Sequence, residues 1–261
     1  MADPNRPEIA PPRDEAIRWW DVFIAAFGGT FVGVLLTVAV GAAALLISLH
    51  RGFALRGDAL IAYLTGSFWT NHAALVLTDL GIVAAVWLVA RWRMPHPLAR
   101  FFPPIAASTF ARALLSGVAL SLLLNGVNEV LSWSSLVTFE DTALDRALVP
   151  HTAWQGVASL AVVVLFAPFV EEFFFRGLFF AWLRQTSGAG LAIVVTAMVF
   201  AAVHGQYSEH PGLQGWIYTL ELFIAGAVLA WWVARTGSLR ASFATHAAYN
   251  AAATLLSVFL P

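Results

Sequence analysis

The chain has 261 residues, 60% of them hydrophobic and 11% charged, with a formal net charge of −1 and a mean hydropathy of +0.78. Soluble domains carry roughly one-quarter charged residues, so this composition predicts an all-α, polytopic transmembrane helix bundle. With 0 cysteines there is no disulfide, thiol nucleophile or thiolate metal site, and with no lysine there is no Schiff base; the balanced charge gives no sign of a nucleic-acid partner.

Residues 1–18 are polar and proline-rich and read as a disordered cytoplasmic tail; no apolar core follows a short basic start, so they do not read as a secretory signal. Trp19 and Trp20 then stand where an interfacial aromatic belt belongs. Seven apolar segments follow, near 22–49, 72–91, 110–131, 153–183, 189–205, 214–234 and 240–260. Each approaches the about 20 residues that cross a bilayer core of about 30 Å. The first and fourth exceed one span, which leaves room for an eighth, and Pro168 predicts a kink in the fourth. Asn125, Asn128 and Glu129 interrupt the third. With the N-terminus inside, ten arginines fall in cytoplasmic segments and three (Arg51, Arg56 and Arg146) outside, so the N-terminus is expected in the cytoplasm and the C-terminus outside. The Arg- and Ala-rich, lysine-free composition suggests a bacterial inner (plasma) membrane.

The stretch from Pro168 to Leu183, PFVEEFFFRGLFFAWL, puts Glu171, Glu172 and Arg176 inside an apolar run. Ionisable groups at bilayer depth are expensive and face a protein interior or a wet cavity. Glu172 and Arg176 are four apart and can pair on one helix face. Glu171 is turned about 100° away at about 3.6 residues per turn, so one carboxylate has a built-in partner and its neighbour does not. Further along, His204 follows Phe200 by one turn, His246 and Asn250 lie four apart on one face of the last segment, and Glu221 interrupts the sixth.

These residues offer a narrow chemistry. With no cysteine, and no Ser or Thr inside the motifs, water is the natural nucleophile. A carboxylate and an imidazole together deprotonate it, and a second imidazole with a carboxamide can donate to an oxyanion. Alternatively Glu171, His204 and His246 could hold a divalent metal such as zinc that lowers the pKa of bound water. No HExxH is present to support that second reading.

The EExxxR of Glu171–Arg176, the FxxxH of Phe200–His204 and the HxxxN of His246–Asn250, in that order on successive helices, resemble the CPBP family. These are the CAAX-protease and bacteriocin-processing (Abi) intramembrane proteases, among them the type II CAAX prenyl endopeptidases. The resemblance covers roughly residues 150–255, which divides the chain into N-terminal membrane helices at 19–150 and a CPBP-like catalytic core at 151–261. It implies about eight spans and an endopeptidase acting on a membrane-associated, CAAX-like peptide or a membrane protein. It further implies that Glu171 is the general base acting with His204, that Glu172 and Arg176 are a structural pair, and that His246 and Asn250 form the oxyanion hole. The family carries a metalloprotease label; glutamate-activated water needs no cofactor and is the preferred expectation.

Two other classes compete. A transporter or channel would use the same groups to relay protons, but there is no internal repeat. A non-catalytic scaffold or immunity protein would bind a peptide or membrane partner through them, His246 and Asn250 then serving as polar glue between helices. Asp79 is expected to be a buried, hydrogen-bonded carboxyl, Glu221 to line a cavity or pack. His72, His96, His151 and His210 are expected to be incidental residues of loops and interfaces.

Overall fold

The computed structural model describes residues 16–50 and 67–259, and among these it contains helices and no strand. The polar tail at residues 1–15, together with Arg51 and Arg56, lies outside the described residues. All seven predicted segments lie on helices. α1 occupies residues 19–50 and includes a π-helical turn at Ile24–Gly28. α2 is Phe68–Arg93 and α3 is Ala107–Trp133. α4 and α5 share one long helical run that breaks at Gly188, so that α4 covers residues 153–187 and α5 residues 189–203. α6 is Gly212–Thr236 and α7 is Leu239–Phe259.

Five helical runs among the described residues are long and apolar enough to cross a membrane, α4 and α5 being counted in one run of 57 residues. Its two halves are nevertheless antiparallel. Glu171 and His204 would lie about 50 Å apart on one straight helix at about 1.5 Å per residue, yet their side chains approach to 3.9 Å. Gly188, with φ 79° and ψ 169°, supplies the reversal, in a region of backbone space that is essentially reserved for glycine. α7 is 21 residues long but carries Arg240, Ser242, Thr245, His246 and Asn250, which keep it out of that apolar set.

α4 is the central helix, packing against α2, α5 and α7, while α3 lies along α7 and α1 along α2. α1 meets α2 at glycines: side chains added at Gly29, Gly33 or Gly81 would strike the facing backbone, the close approach that small residues permit in membranes. α3 meets α7 in the same way at Gly117, where a Cβ would strike the Thr245 carbonyl. Trp232 of α6 donates to Ser116 of α3 at 2.9 Å, and Thr245 of α7 donates to the Ala113 carbonyl of α3 at 2.9 Å. One apolar cluster joins Val86 and Val89 of α2 to Phe173, Leu178 and Phe180 of α4, Val233 of α6 and Leu239 of α7. Phe31, Val38 and Leu46 of α1 point outward and are exposed, as suits a surface whose solvent is lipid.

Two of the histidines expected to be incidental are structural. His72 is buried, with Nδ1 donating to the Phe68 carbonyl at 3.0 Å and Nε2 accepting from Ser159 at 3.2 Å, so it ties α2 to α4. His210 is buried, 3.0 Å from the Gln214 amide, with Nε2 3.8 Å from Asp145. Both bonds join residues distant in sequence or sit at helix ends, where apolar periodicity carries no signal. A pair that went unremarked in the sequence anchors α1: Arg93 grips the fully buried Asp21 carboxylate with both Nε, at 2.8 Å, and a terminal nitrogen, at 2.9 Å.

Candidate active site

α4 is not a plain α-helix around its two glutamates. Leu160–Phe166 and Glu172–Phe179 are both π-helical and flank the short α-helical turn Ala167–Glu171. Such insertions gather at functional sites because each re-aims the side chains beyond it. Pro168 sits in the second position of the turn between them. The expected pairing of Glu172 with Arg176 forms in spite of the wider helical register: Nη1 of Arg176 donates to Glu172 Oε1 at 3.0 Å, with both side chains buried.

Glu172 has more partners than the four-residue spacing discloses. Its Oε1 also accepts from His246 Nδ1 at 2.9 Å, and its Oε2 accepts from the Ser242 hydroxyl. The carboxylate therefore joins α4 to α7 and orients the His246 ring, as a second carboxylate does behind many functional histidines. Arg176 extends the network. Its second terminal nitrogen donates to the Gly226 carbonyl of α6 at 3.0 Å, and its guanidinium lies 4.5 Å from the centroid of the Phe200 ring on α5. One planar cation thus bonds an acid, a carbonyl and an aromatic face, which a lysine ammonium does not reproduce.

Glu171 is about one-quarter exposed and has no such partners. Its Oε2 is buried without a hydrogen bond. Two imidazoles face it: His204 Nε2 lies 3.9 Å from Oε1, and His246 Nε2 lies 3.7 Å from Oε2. Both separations are too long for a direct hydrogen bond and suit a bridging water. The far side of each ring is held. His204 Nδ1 donates to the Phe200 carbonyl at 2.6 Å, and His246 Nδ1 is bonded to Glu172. With Nδ1 carrying a proton in both, Nε2 is the nitrogen that each ring turns toward Glu171. His204 ends α5 at its C-cap, where the chain turns through Gly205 at φ 69°.

Glu171, His204, His246 and Asn250 line one cavity of about 190 Å³, with Phe200, Leu222 and Leu229 among its apolar walls. The groups singled out in the sequence are thus brought together from α4, α5 and α7. Asn250 has a partner of its own: its amide nitrogen donates to the Val163 carbonyl of α4 at 2.8 Å. Asp79 on α2 lies within electrostatic reach of Glu171. It is half-buried where a buried, hydrogen-bonded carboxyl was expected, and it is a third carboxyl near the site. Glu221 on α6 has one carboxyl oxygen buried without a partner, as has the Asn128 amide oxygen on α3.

A metal fits this arrangement poorly. The two histidines approach opposite oxygens of the Glu171 carboxylate. Among the described residues, no three acidic or histidine side chains gather closely enough to hold an ion. A tetrahedral site needs three protein ligands about 2 Å from one point.

Residues 153–252 match the family model described as Type II CAAX prenyl endopeptidase Rce1-like. No curated protein matches the chain, and neither does any solved structure.

Proposed function

From the match of residues 153–252 to the Rce1-like model of type II CAAX prenyl endopeptidases, we propose that this protein is an intramembrane endopeptidase. It hydrolyses a peptide bond of a membrane-associated, CAAX-like peptide or protein with water activated by Glu171 and His204. The observation that carries this is the unpartnered Glu171 carboxylate lying one water away from two histidines whose other nitrogens are held.

A water between Glu171 Oε1 and His204 Nε2 is hydrogen-bonded on both sides. As its oxygen attacks the scissile carbonyl carbon, a proton passes to the Glu171 carboxylate and the carbonyl oxygen becomes an oxyanion. Collapse of the tetrahedral intermediate breaks the C–N bond, and the proton held by Glu171 goes to the leaving amine. General-base assistance of this kind contributes about 10²–10⁴-fold. To donate to the oxyanion, His246 must carry protons on both nitrogens; Glu172 holds the one on Nδ1, and Nε2 presents the second to the cavity. The Asn250 amide nitrogen has two protons, one bonded to Val163 and the other available to the cavity wall. No step requires a metal, and the placement of the histidines on opposite carboxylate oxygens favours the metal-free route.

The test uses purified protein in lipid nanodiscs and quenched fluorescent peptides ending in a CAAX-type sequence, with and without a farnesyl group on the cysteine. Wild-type protein is expected to cleave the farnesylated peptide, and Glu171→Gln and His204→Ala to lose cleavage. Binding of the peptide without cleavage by wild-type protein would favour the scaffold reading.

A further inference from the structure

We propose that Asn250 is a positioning residue whose side-chain amide replaces the backbone N–H that Pro168 lacks. In the π-helical segment Leu160–Phe166, backbone donors reach five residues back, and at its end the Ala167 N–H bonds to the Val162 carbonyl. The next donor in that register belongs to residue 168 and the next acceptor is the Val163 carbonyl. Residue 168 is proline, which has no N–H. Asn250 Nδ2 donates to that same Val163 carbonyl at 2.8 Å. A carbonyl left unpaired inside a membrane protein costs several kilocalories per mole in lipid surroundings, and α7 supplies the missing donor.

The consequence falls on Glu171. It lies at the end of the short turn that begins just before Pro168, so the register of the π segment before it decides where its carboxylate points. α7 holds this turn from both sides: Asn250 bonds ahead of it at Val163, and His246, one turn earlier on α7, bonds behind it at Glu172. The His246–Asn250 turn of α7 thus holds α4 at two points, Glu172 and Val163, on either side of the residue that carries the base. Asn250 acts on the reaction through Glu171, by fixing the turn.

A double-mutant cycle between Asn250→Ala and Pro168→Ala tests this. Pro168→Ala restores a backbone N–H, and in either helical register the Val163 carbonyl then no longer depends on α7. Two readouts are taken: the melting temperature in detergent, and kcat and KM on the farnesylated CAAX peptide. Asn250→Ala alone is expected to lower the melting temperature by several degrees and kcat by about tenfold, the effect of one bond to a buried carbonyl, with KM little changed. In the Pro168→Ala background, the same change is expected to lose most of its effect on melting and the part of the kcat loss that comes through the turn, leaving only the part due to the second amide proton. Equal losses in the two backgrounds would overturn the proposal and leave Asn250 as a donor to the oxyanion; so would an Asn250→Ala protein with unaltered melting. The kcat arm rests on the proposed peptidase activity and the melting arm does not. If wild-type protein cleaves nothing, the melting cycle still decides whether the Val163 bond substitutes for the missing N–H.

Discussion

Glu171 and Glu172 are neighbours in sequence with opposite surroundings. Glu172 is buried and bonded to Arg176, His246 and Ser242, whereas one oxygen of Glu171 has no partner. Glu171→Gln is therefore expected to leave the melting temperature of the purified protein unchanged and to reduce peptide cleavage by about 10²-fold or more. Glu172→Gln weakens the charge partner of a buried arginine, and breaking such a pair costs about 3–5 kcal/mol; it also loosens the His246 ring. Reduced melting temperature and reduced kcat together are expected for it, and equal thermal stability of the two variants would contradict this division of roles. The Glu172–Arg176 pair was legible in the sequence because helical spacing alone determines which residues can meet four apart. The His246–Glu172 bond was not, because it joins positions 74 residues apart, and nothing in an HxxxN motif says what lies across the helix interface. Asp21 and Arg93 were illegible for the same reason: each reads as an ordinary interfacial charge until α1 and α2 are packed.

At the scale of helices, the site depends on three backbone features. The α4–α5 reversal needs Gly188 at φ 79°. A side chain there is strained by about 1–3 kcal/mol, so Gly188→Ala is expected to lower the melting temperature and, by shifting His204 relative to Glu171, the cleavage rate. The α3–α7 crossing needs Gly117, where any Cβ meets the Thr245 carbonyl. Overpacking of this kind costs about 1–3 kcal/mol. Because Thr245 adjoins His246, Gly117→Ala is expected to reduce activity from a position outside the cavity, with crosslinking or spectroscopic distances between α4 and α7 reporting the displacement. The third feature, the pair of π-helical segments around Glu171, had no signature in the sequence. An apolar run fits an α-helix or a π-helix equally, and Pro168 announced only that the regular ladder must fail somewhere nearby. The boundary between the fourth and fifth predicted segments, 153–183 and 189–205, falls on the stretch that contains the Gly188 reversal.

Across the whole molecule, charges are concentrated on interior contacts and helix ends while α1 presents apolar side chains outward, which requires a bilayer around it. The polytopic all-α character followed from composition because only helices and closed barrels satisfy every backbone group in lipid. The last helix blurs the number of spans, since the polar residues that build the site also lower its apolar content. The opposite approach of the two histidines to Glu171 leads to an expectation for the purified protein: cleavage persists in excess chelator, and elemental analysis finds less than stoichiometric zinc. One zinc per chain, with activity lost on chelation and restored by zinc, would assign the same residues to a metal site instead. The most direct test of the central claim is cleavage of the farnesylated CAAX peptide by wild-type and Glu171→Gln proteins in nanodiscs, with products identified by mass spectrometry and both proteins shown to melt at the same temperature. Cleavage at one defined bond by the wild type and none by Glu171→Gln is the predicted result; equal cleavage by both proteins would contradict the assignment of Glu171 as the base.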